Sequence, residues 1–149
     1  MNKFFILLIL FFSICFFSII SCTTPKNDAQ STIQHLSLFD TRWNLVEIDQ
    51  RPIKKTDGAK TPYIRFSKQE MKAIGNNGCN SFFADIDTIE ENLSFGPVGM
   101  TRMACQEGME TEMAFLAMLQ ASYQYAIDGY ALLIMDKQGR VVGKFIVAQ

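Results

Sequence analysis

The stretch at residues 63–74, YIRFSKQEMKAI, decides the fold class of this chain. Ile64, Arg65 and Phe66 alternate between apolar and polar, and the polar run 67–70 then leads into a second short run, 71–74. Alternation is typical of half-buried β-strands, because successive side chains of a strand point to opposite faces. The stretch therefore predicts a hairpin in an antiparallel sheet.

Further short strands are expected on both sides of this hairpin. Trp43 to Ile48 is a candidate strand upstream, and residues 82–86 and 93–95 form a candidate pair downstream. Between the hairpin and this downstream pair, Asn76-Asn77-Gly78 can form a turn, because Asn and Gly tolerate positive φ. The first half of the folded part is thus predicted to contain five strands.

The apolar period changes between Glu107 and Tyr123, where we expect the one substantial helix. The spacing near i, i+4 and i+7 assigns its apolar face to Met109, Met113, Leu116, Leu119, Gln120 and Tyr123. Three more strands are predicted over residues 125–128, 131–136 and 140–147, joined by tight turns. The predicted order is five strands, one helix and three strands.

The first 21 residues have the layout of a secretory signal peptide. A cationic start at Lys3 precedes the apolar run of residues 4–20, which is slightly short for a membrane span and lacks a cationic flank at its end. Residues 19–22, Ile-Ile-Ser-Cys, resemble the bacterial lipobox, in which the Cys thiol receives the lipid. We therefore expect cleavage after residue 21 and lipidation of Cys22, with an uncleaved membrane anchor as the alternative.

A tether and one folded domain follow the leader. Residues 22–37 are mostly small and polar, which suits a flexible tether, and residues 38–149 have the length of a single domain. The charges of the whole chain nearly balance, with 14 Lys and Arg against 15 Asp and Glu and a net charge of −1. The absence of a basic excess to neutralise phosphates argues against a nucleic-acid partner, and none is expected.

Two motifs point to a known family: GNNGCNSF at residues 75–82 and TRMAC at residues 101–105. Together with Trp43-Asn44-Leu45 and the closing hairpin, they resemble the META/HslJ family over about residues 40–147. One departure is Ala84, where the family commonly has a Gly. The resemblance implies a small β-rich α+β domain, frequently in a bacterial envelope lipoprotein or secreted protein, sometimes linked to stress or antibiotic tolerance and without an established catalytic activity.

We accordingly expect an α+β fold in which about eight antiparallel strands curl as a partly open barrel around one main helix. The expected function is that of a monomeric, non-enzymatic binding or interaction module in envelope maintenance or stress tolerance. It would be attached to the outer membrane, on its periplasmic or surface face, through the lipid on Cys22, and its partner would be an envelope protein or a small ligand. A carrier of an apolar or lipid ligand is the alternative, and an enzyme of unknown type is the third hypothesis.

The cysteines outside the leader favour a disulfide. Cys15 leaves with the leader and Cys22 carries the lipid, so Cys79 and Cys105 remain as an even pair in an oxidising compartment. A metal or redox site and two free thiols are the alternatives. The pair does not form a Cys-x-x-Cys motif, and His35 is the only imidazole of the chain.

Asn80, Thr101, Arg102 and Trp43 form a candidate cluster beside this cysteine pair. In the structural interpretation, which we favour, Asn80 satisfies turn amides and Arg102 pairs with a carboxylate or stacks on Trp43. In the ligand interpretation, Arg102 offers its guanidinium to an anion near the helix N-terminus. The early Glu residues of the helix already occupy that positive end, which argues for the first interpretation.

Five of the eight Met residues lie between residues 100 and 118, a density that suggests a Cu(I) thioether site. Core packing is favoured instead, because Met109 and Met113 fit the apolar helical face and no Met-x-x-Met ladder with a His is present. Ser81 and Thr101 have no partnering base in a recognisable arrangement. No catalytic residue, cofactor or metal is therefore predicted.

Overall fold

The computed structural model describes residues 36–54, 60–105 and 108–148, so the predicted leader and nearly all of the predicted tether lie outside the described residues. Within these ranges, no helix combines the length and the apolarity needed to cross a membrane. The elements are β1 Arg42–Ile48, β2 Arg51–Pro52, β3 Tyr63–Ser67, β4 Lys72–Asn76, β5 Ser81–Asp87, β6 Ser94–Phe95, β7 Gly99–Met100, α1 Met109–Ala121, β8 Gln124–Asp128, β9 Ala131–Met135 and β10 Val141–Val147.

The strands form one antiparallel sheet that nearly closes on itself. Its order is β6-β5-β4-β3-β1-β10-β9-β8, with β2 beside β1 and β7 beside β5. The two ends of the sheet meet, since the Leu93 N–H donates to the Tyr123 carbonyl at 2.9 Å and the Tyr125 N–H donates to the Glu91 carbonyl at 2.9 Å. The predicted partly open barrel with one main helix is confirmed.

Large side chains fill the interior of the barrel. Trp43, Phe66, Phe115 and Phe145 are all 0% exposed. The Phe115 ring enters from α1, with its centroid 5.1 Å from that of Phe82 and 6.4 Å from that of Phe145. The helix is therefore fixed to the sheet by an aromatic contact at its centre.

The inward face of α1 differs from the predicted one. Phe115, Met118 and Leu119 are buried, whereas Met109 and Met113 are 62% and 61% exposed. Apolar residues occur on every side of this helix, so spacing alone does not determine which side meets the sheet. The prediction that Met109 and Met113 pack in the core is wrong. The buried side of α1 is the one that carries Phe115.

The ends of the helix are set by local backbone geometry. Gly108 precedes α1 with a φ of 102°, a conformation that favours glycine, and the Ser122 hydroxyl donates to the Leu119 carbonyl at the other end. The predicted start at Glu107 lies outside the described residues. The helix ends at Ala121, two residues before the predicted end at Tyr123.

Two short strands were not predicted from the sequence. β2 and β7 contain two residues each, so neither has an alternation that could be recognised. β7 also begins at Gly99, the last residue of a Gly-Pro-Val-Gly segment at residues 96–99 that has no strand-like alternation. The remaining eight strands and the helix follow in the predicted order.

Candidate functional site

The turn between β4 and β5 is built by two Asn side chains. Asn76 Oδ1 accepts the Gly78 N–H at 2.8 Å, and Asn77 Oδ1 accepts the N–H groups of Cys79 and Asn80 at 3.1 and 2.7 Å. Gly78 has a φ of 105°, as the predicted turn requires. These bonds fix the direction in which Cys79 and Asn80 leave the turn.

Residues 101–105, which we call the strap, are attached to this turn at three points. Cys105 forms a disulfide with Cys79, with a Cα–Cα distance of 6.0 Å. Asn80 Oδ1 accepts the Thr101 hydroxyl at 2.8 Å and the Met103 N–H at 2.7 Å. The turn and the strap are thus held in one arrangement by a covalent bond and two short hydrogen bonds.

Asn80 also connects the strap to the helix. Its Nδ2 donates to Glu112 Oε2 at 3.1 Å, although the two residues are 32 positions apart. Asn80 itself is only 3% exposed. One buried amide therefore joins the β4–β5 turn, the strap and the first turns of α1, and both ends of the amide are satisfied.

The structure brings together only part of the predicted cluster. Asn80 and Thr101 are in contact, but the Arg102 side chain is exposed. Trp43 lies in the barrel core, where its Nε1 donates to the Leu38 carbonyl at 3.1 Å. The contact between Glu112 and Asn80 was not predicted from the sequence. A Glu in the first turns of a helix is already accounted for by its favourable interaction with the helix dipole.

Within the described part of the chain, no general base lies beside the hydroxyl of this cluster. The Thr101 hydroxyl donates to Asn80 and accepts the Ser81 N–H at 3.2 Å, so an amide and not a base is its partner. Among the described residues, no group of three His, Cys, Asp or Glu side chains could hold a metal ion. The cluster is therefore suited to holding segments together.

One carboxylate with a shifted pKa has a structural explanation elsewhere. Burial raises the pKa of Asp136, but hydrogen bonds from the Arg140 and Gln138 N–H groups and from the Arg140 guanidinium outweigh burial and lower it. This carboxylate organises the turn between β9 and β10. It does not mark a reactive site.

A surface cavity of about 150 Å³ lies beside the disulfide, and we call it the methionine cavity. Three of its residues are methionines with largely exposed side chains, namely Met103 at 59%, Met109 at 62% and Met113 at 61%. The full lining is Cys79, Met103, Cys105, Met109, Glu112, Met113 and Leu116. The cavity thus gathers side chains from the strap and from one side of α1.

A second surface feature is a row of residues on the outside of the sheet, which we call the outer row. Arg42, Arg65, Ile74, Phe83 and Gly99 are directly paired, each with the next, across five strands. Ile74 is 42% exposed and Phe83 is 57% exposed. The Phe83 ring covers Gly99, where a Cβ atom would collide with the ring carbons.

The sequence contained a signal for the outer row. In β5, Phe82, Ala84 and Ile86 are buried in alternation, so Phe83 must face outward. Its outward neighbours could not be read from the sequence, because they depend on the register of four neighbouring strands.

We expect Asn80→Ala to lower the free energy of unfolding by about 2–3 kcal/mol, since it removes a buried amide and leaves the Thr101 hydroxyl, the Met103 N–H and the Glu112 carboxylate without their partner. Urea denaturation measures the change. Arg102→Ala is the matched control and should cost less than about 0.5 kcal/mol, because its side chain is exposed. An equal loss in both variants would show that Asn80 is not the connecting residue.

Comparison with known proteins supports the assignment of the fold. The chain is similar to a protein from Burkholderia xenovorans with an NMR structure, at 26% identity and a TM-score of 0.61, covering 75% of this chain and 84% of that one. A second NMR structure matches in fold, at 20% identity and a TM-score of 0.56, covering 72% of this chain and 88% of that one. No protein with a curated description matches.

The family model for the META domain matches residues 35–147. This range contains every described strand and the helix, as well as the turn, the strap and the outer row. The resemblance that was inferred from the GNNGCNSF and TRMAC motifs is thereby confirmed. The chain belongs to the META domain family.

Proposed function

We propose that this META domain protein is a lipid-anchored, non-enzymatic protein of the bacterial envelope that binds another envelope protein through the outer row. The observation that carries the proposal is the exposed pair Ile74 and Phe83, which lie directly opposite each other on β4 and β5. Outward positions of an antiparallel sheet are ordinarily polar. A large aromatic ring and a branched aliphatic side chain at such positions favour contact with a partner.

The composition of the outer row resembles the centre of a protein interface. Aromatic and Arg side chains are the types that contribute most to binding free energy, and here Phe83 and Ile74 lie beside Arg65 and Arg42. Arg42 stacks on the Tyr63 ring at 3.8 Å, which reduces the side-chain entropy that binding would cost. The partner should therefore present an apolar side chain next to a carboxylate.

The filled barrel argues against the carrier hypothesis. Trp43, Phe66, Phe115 and Phe145 occupy the space that an apolar or lipid ligand would need inside the curled sheet. A surface cleft of about 280 Å³ lies between β2 and α1, and its lining mixes charged residues such as Asp49 and Arg51 with apolar ones such as Ile48 and Ile53. Because the interior of the curled sheet is filled, the interaction module is better supported than a carrier that holds its ligand inside the sheet.

The second part of the proposal is that a lipid on Cys22 anchors the protein to the membrane. We expect Cys22→Ser to release the protein from the membrane fraction, because the acyl chains on this thiol are the only strong attachment proposed. Fractionation of cells followed by immunoblotting measures the distribution. The Cys15→Ser variant is the control and should remain with the membranes. Retention of the Cys22→Ser protein in the membrane fraction would refute the lipobox interpretation.

The outer row is tested by a variant that removes its apolar character. Ile74→Thr with Phe83→Thr should abolish copurification of the partner and the tolerance of cells to antibiotic stress. Thr retains a preference for strands, so the unfolding free energy should change by less than about 1 kcal/mol.

Ile146→Thr is the control for that variant, since Ile146 is 44% exposed on β10 but lies outside the outer row. It should leave both copurification and tolerance unchanged. Normal tolerance in the outer-row variant, or an equal loss in the control, would contradict the proposed binding surface.

A further inference from the structure

The methionine cavity is not used by the proposed partner binding and has a chemistry of its own. Met103, Met109 and Met113 are each about 60% exposed, although methionine is among the residue types most often buried in proteins. Core packing does not explain them, because the buried methionine of α1 is Met118. Three exposed thioethers that line one cavity of about 150 Å³ are instead arranged as potential ligands.

Two elements hold these thioethers near one another. Met109 and Met113 are four residues apart on α1, so their side chains lie one above the other on the same side of the helix. Met103 belongs to the strap, where its N–H donates to Asn80 Oδ1 at 2.7 Å. The Cys79–Cys105 disulfide fixes the strap two residues further on. The backbone that carries the third thioether is therefore positioned before any ligand binds.

The ligand chemistry of the cavity is soft. Thioether sulfur is neutral and polarisable, and such ligands select monovalent copper over hard cations, which prefer oxygen. Both cavity cysteines are consumed in the disulfide, so the thiolates that Zn²⁺ prefers are not available. Glu112 adds a carboxylate to the lining and opposes the positive end of the helix dipole. A cation of low charge is thus electrostatically acceptable there.

We propose that Met103, Met109 and Met113 form a binding site for a soft monovalent metal ion of the Cu(I) and Ag(I) class. The metal would be bound by three sulfur atoms, two from α1 and one from the strap. The site requires the oxidised disulfide. Reduction would release Cys105 from Cys79, so Met103 would no longer be held beside α1. No electron transfer is involved, since the ion keeps its charge on binding.

Silver(I) is the probe of choice because, like Cu(I), it has a filled d shell and, unlike Cu(I), it is not oxidised in air. The purified mature protein, with the leader removed and Cys22 lipidated, is titrated with silver nitrate by calorimetry, without reductant and in chloride-free buffer. We expect saturable binding of about one ion per chain. In spectra of protein with ¹³C-labelled Met methyl groups, the signals of Met103, Met109 and Met113 should shift, and that of Met71 should not.

Leucine variants remove the thioether sulfur but keep an apolar side chain of similar size. Met103→Leu, Met109→Leu and Met113→Leu should each weaken silver binding at least tenfold, and the triple variant should lose it. Met71→Leu is the matched control, because Met71 is 38% exposed in the β3–β4 turn and lies outside the cavity lining. Thermal unfolding should be the same for all of these variants, since the side chains are exposed and Leu is equally apolar.

The site is refuted if silver binding is absent from the parent protein or persists in the triple Leu variant. It is refuted equally if free thiols become detectable during the titration, because the ion would then be bound by reduced cysteines. An equal loss of affinity in Met71→Leu would show that binding is not specific to the cavity.

Discussion

Replacing Phe115 by Ala should lower the free energy of unfolding by about 3–5 kcal/mol, the largest effect we expect from any single substitution. Phe115 is 0% exposed, and its ring lies between those of Phe82 and Phe145. Its removal leaves a cavity at the only place where α1 enters the aromatic core of the described barrel. The cost combines the lost transfer free energy with that of a cavity that the stiff sheet is unable to close.

Urea denaturation of Phe115→Ala measures this effect, and Met109→Ala on the same helix is the control. Met109 is 62% exposed and Ala is a better helix former, so the control should stay within about 0.5 kcal/mol of the parent. If Met109→Ala were the more destabilising of the two, the buried face of α1 would be the one that the sequence spacing suggested.

The second large effect concerns the disulfide. Cys79→Ser with Cys105→Ser should lower the free energy of unfolding by about 3.5 kcal/mol, as the chain-entropy model gives for a closed loop of about 27 residues. The two positions are 26 residues apart. Because the strap also depends on Asn80, the loss should be accompanied by faster exchange of the Met103 N–H, which Asn80 accepts.

Denaturant titration of the double Ser variant, compared with the reduced parent protein, tests this expectation. The two should have the same midpoint, since both lack only the covalent bond. A double variant as stable as the oxidised parent would show that the hydrogen bonds of Asn80 alone are sufficient to hold the strap. Quantitative labelling of Cys79 and Cys105 in protein purified without reductant would contradict the disulfide itself.

Strands could be predicted from the sequence wherever alternation was long enough to recognise. β3 and β5 bury alternate residues, and their positions followed from that pattern. β2 and β7 have two residues each, so only pairing with β1 and β5 defines them. The helix was predictable as an element, but its inward face was not, because nearly every side of it is apolar.

The site was predictable only where covalent or sequential proximity constrained it. A bridge between Cys79 and Cys105 implied that Asn80 and Arg102 would be close. The bridge does bring the strap to Asn80, but the residue hydrogen-bonded to Asn80 is Thr101, and the Arg102 side chain is exposed. Glu112 and Ile74 reach their partners through helix docking and strand register, which no local pattern encodes. The hydrogen bond between Asn80 and Glu112 and the pairing of the outer row therefore depend on tertiary packing, which the sequence pattern does not reveal.

Photocrosslinking in intact cells tests most directly the claim that the outer row binds an envelope protein. A photoreactive phenylalanine analogue is placed at position 83, and in a control at position 130, where Tyr130 is 75% exposed in the β8–β9 turn. We predict one discrete membrane-associated adduct from position 83, none from position 130, and loss of the adduct when Arg65→Glu is added. No adduct at position 83, or the same adduct from both positions, would contradict the account.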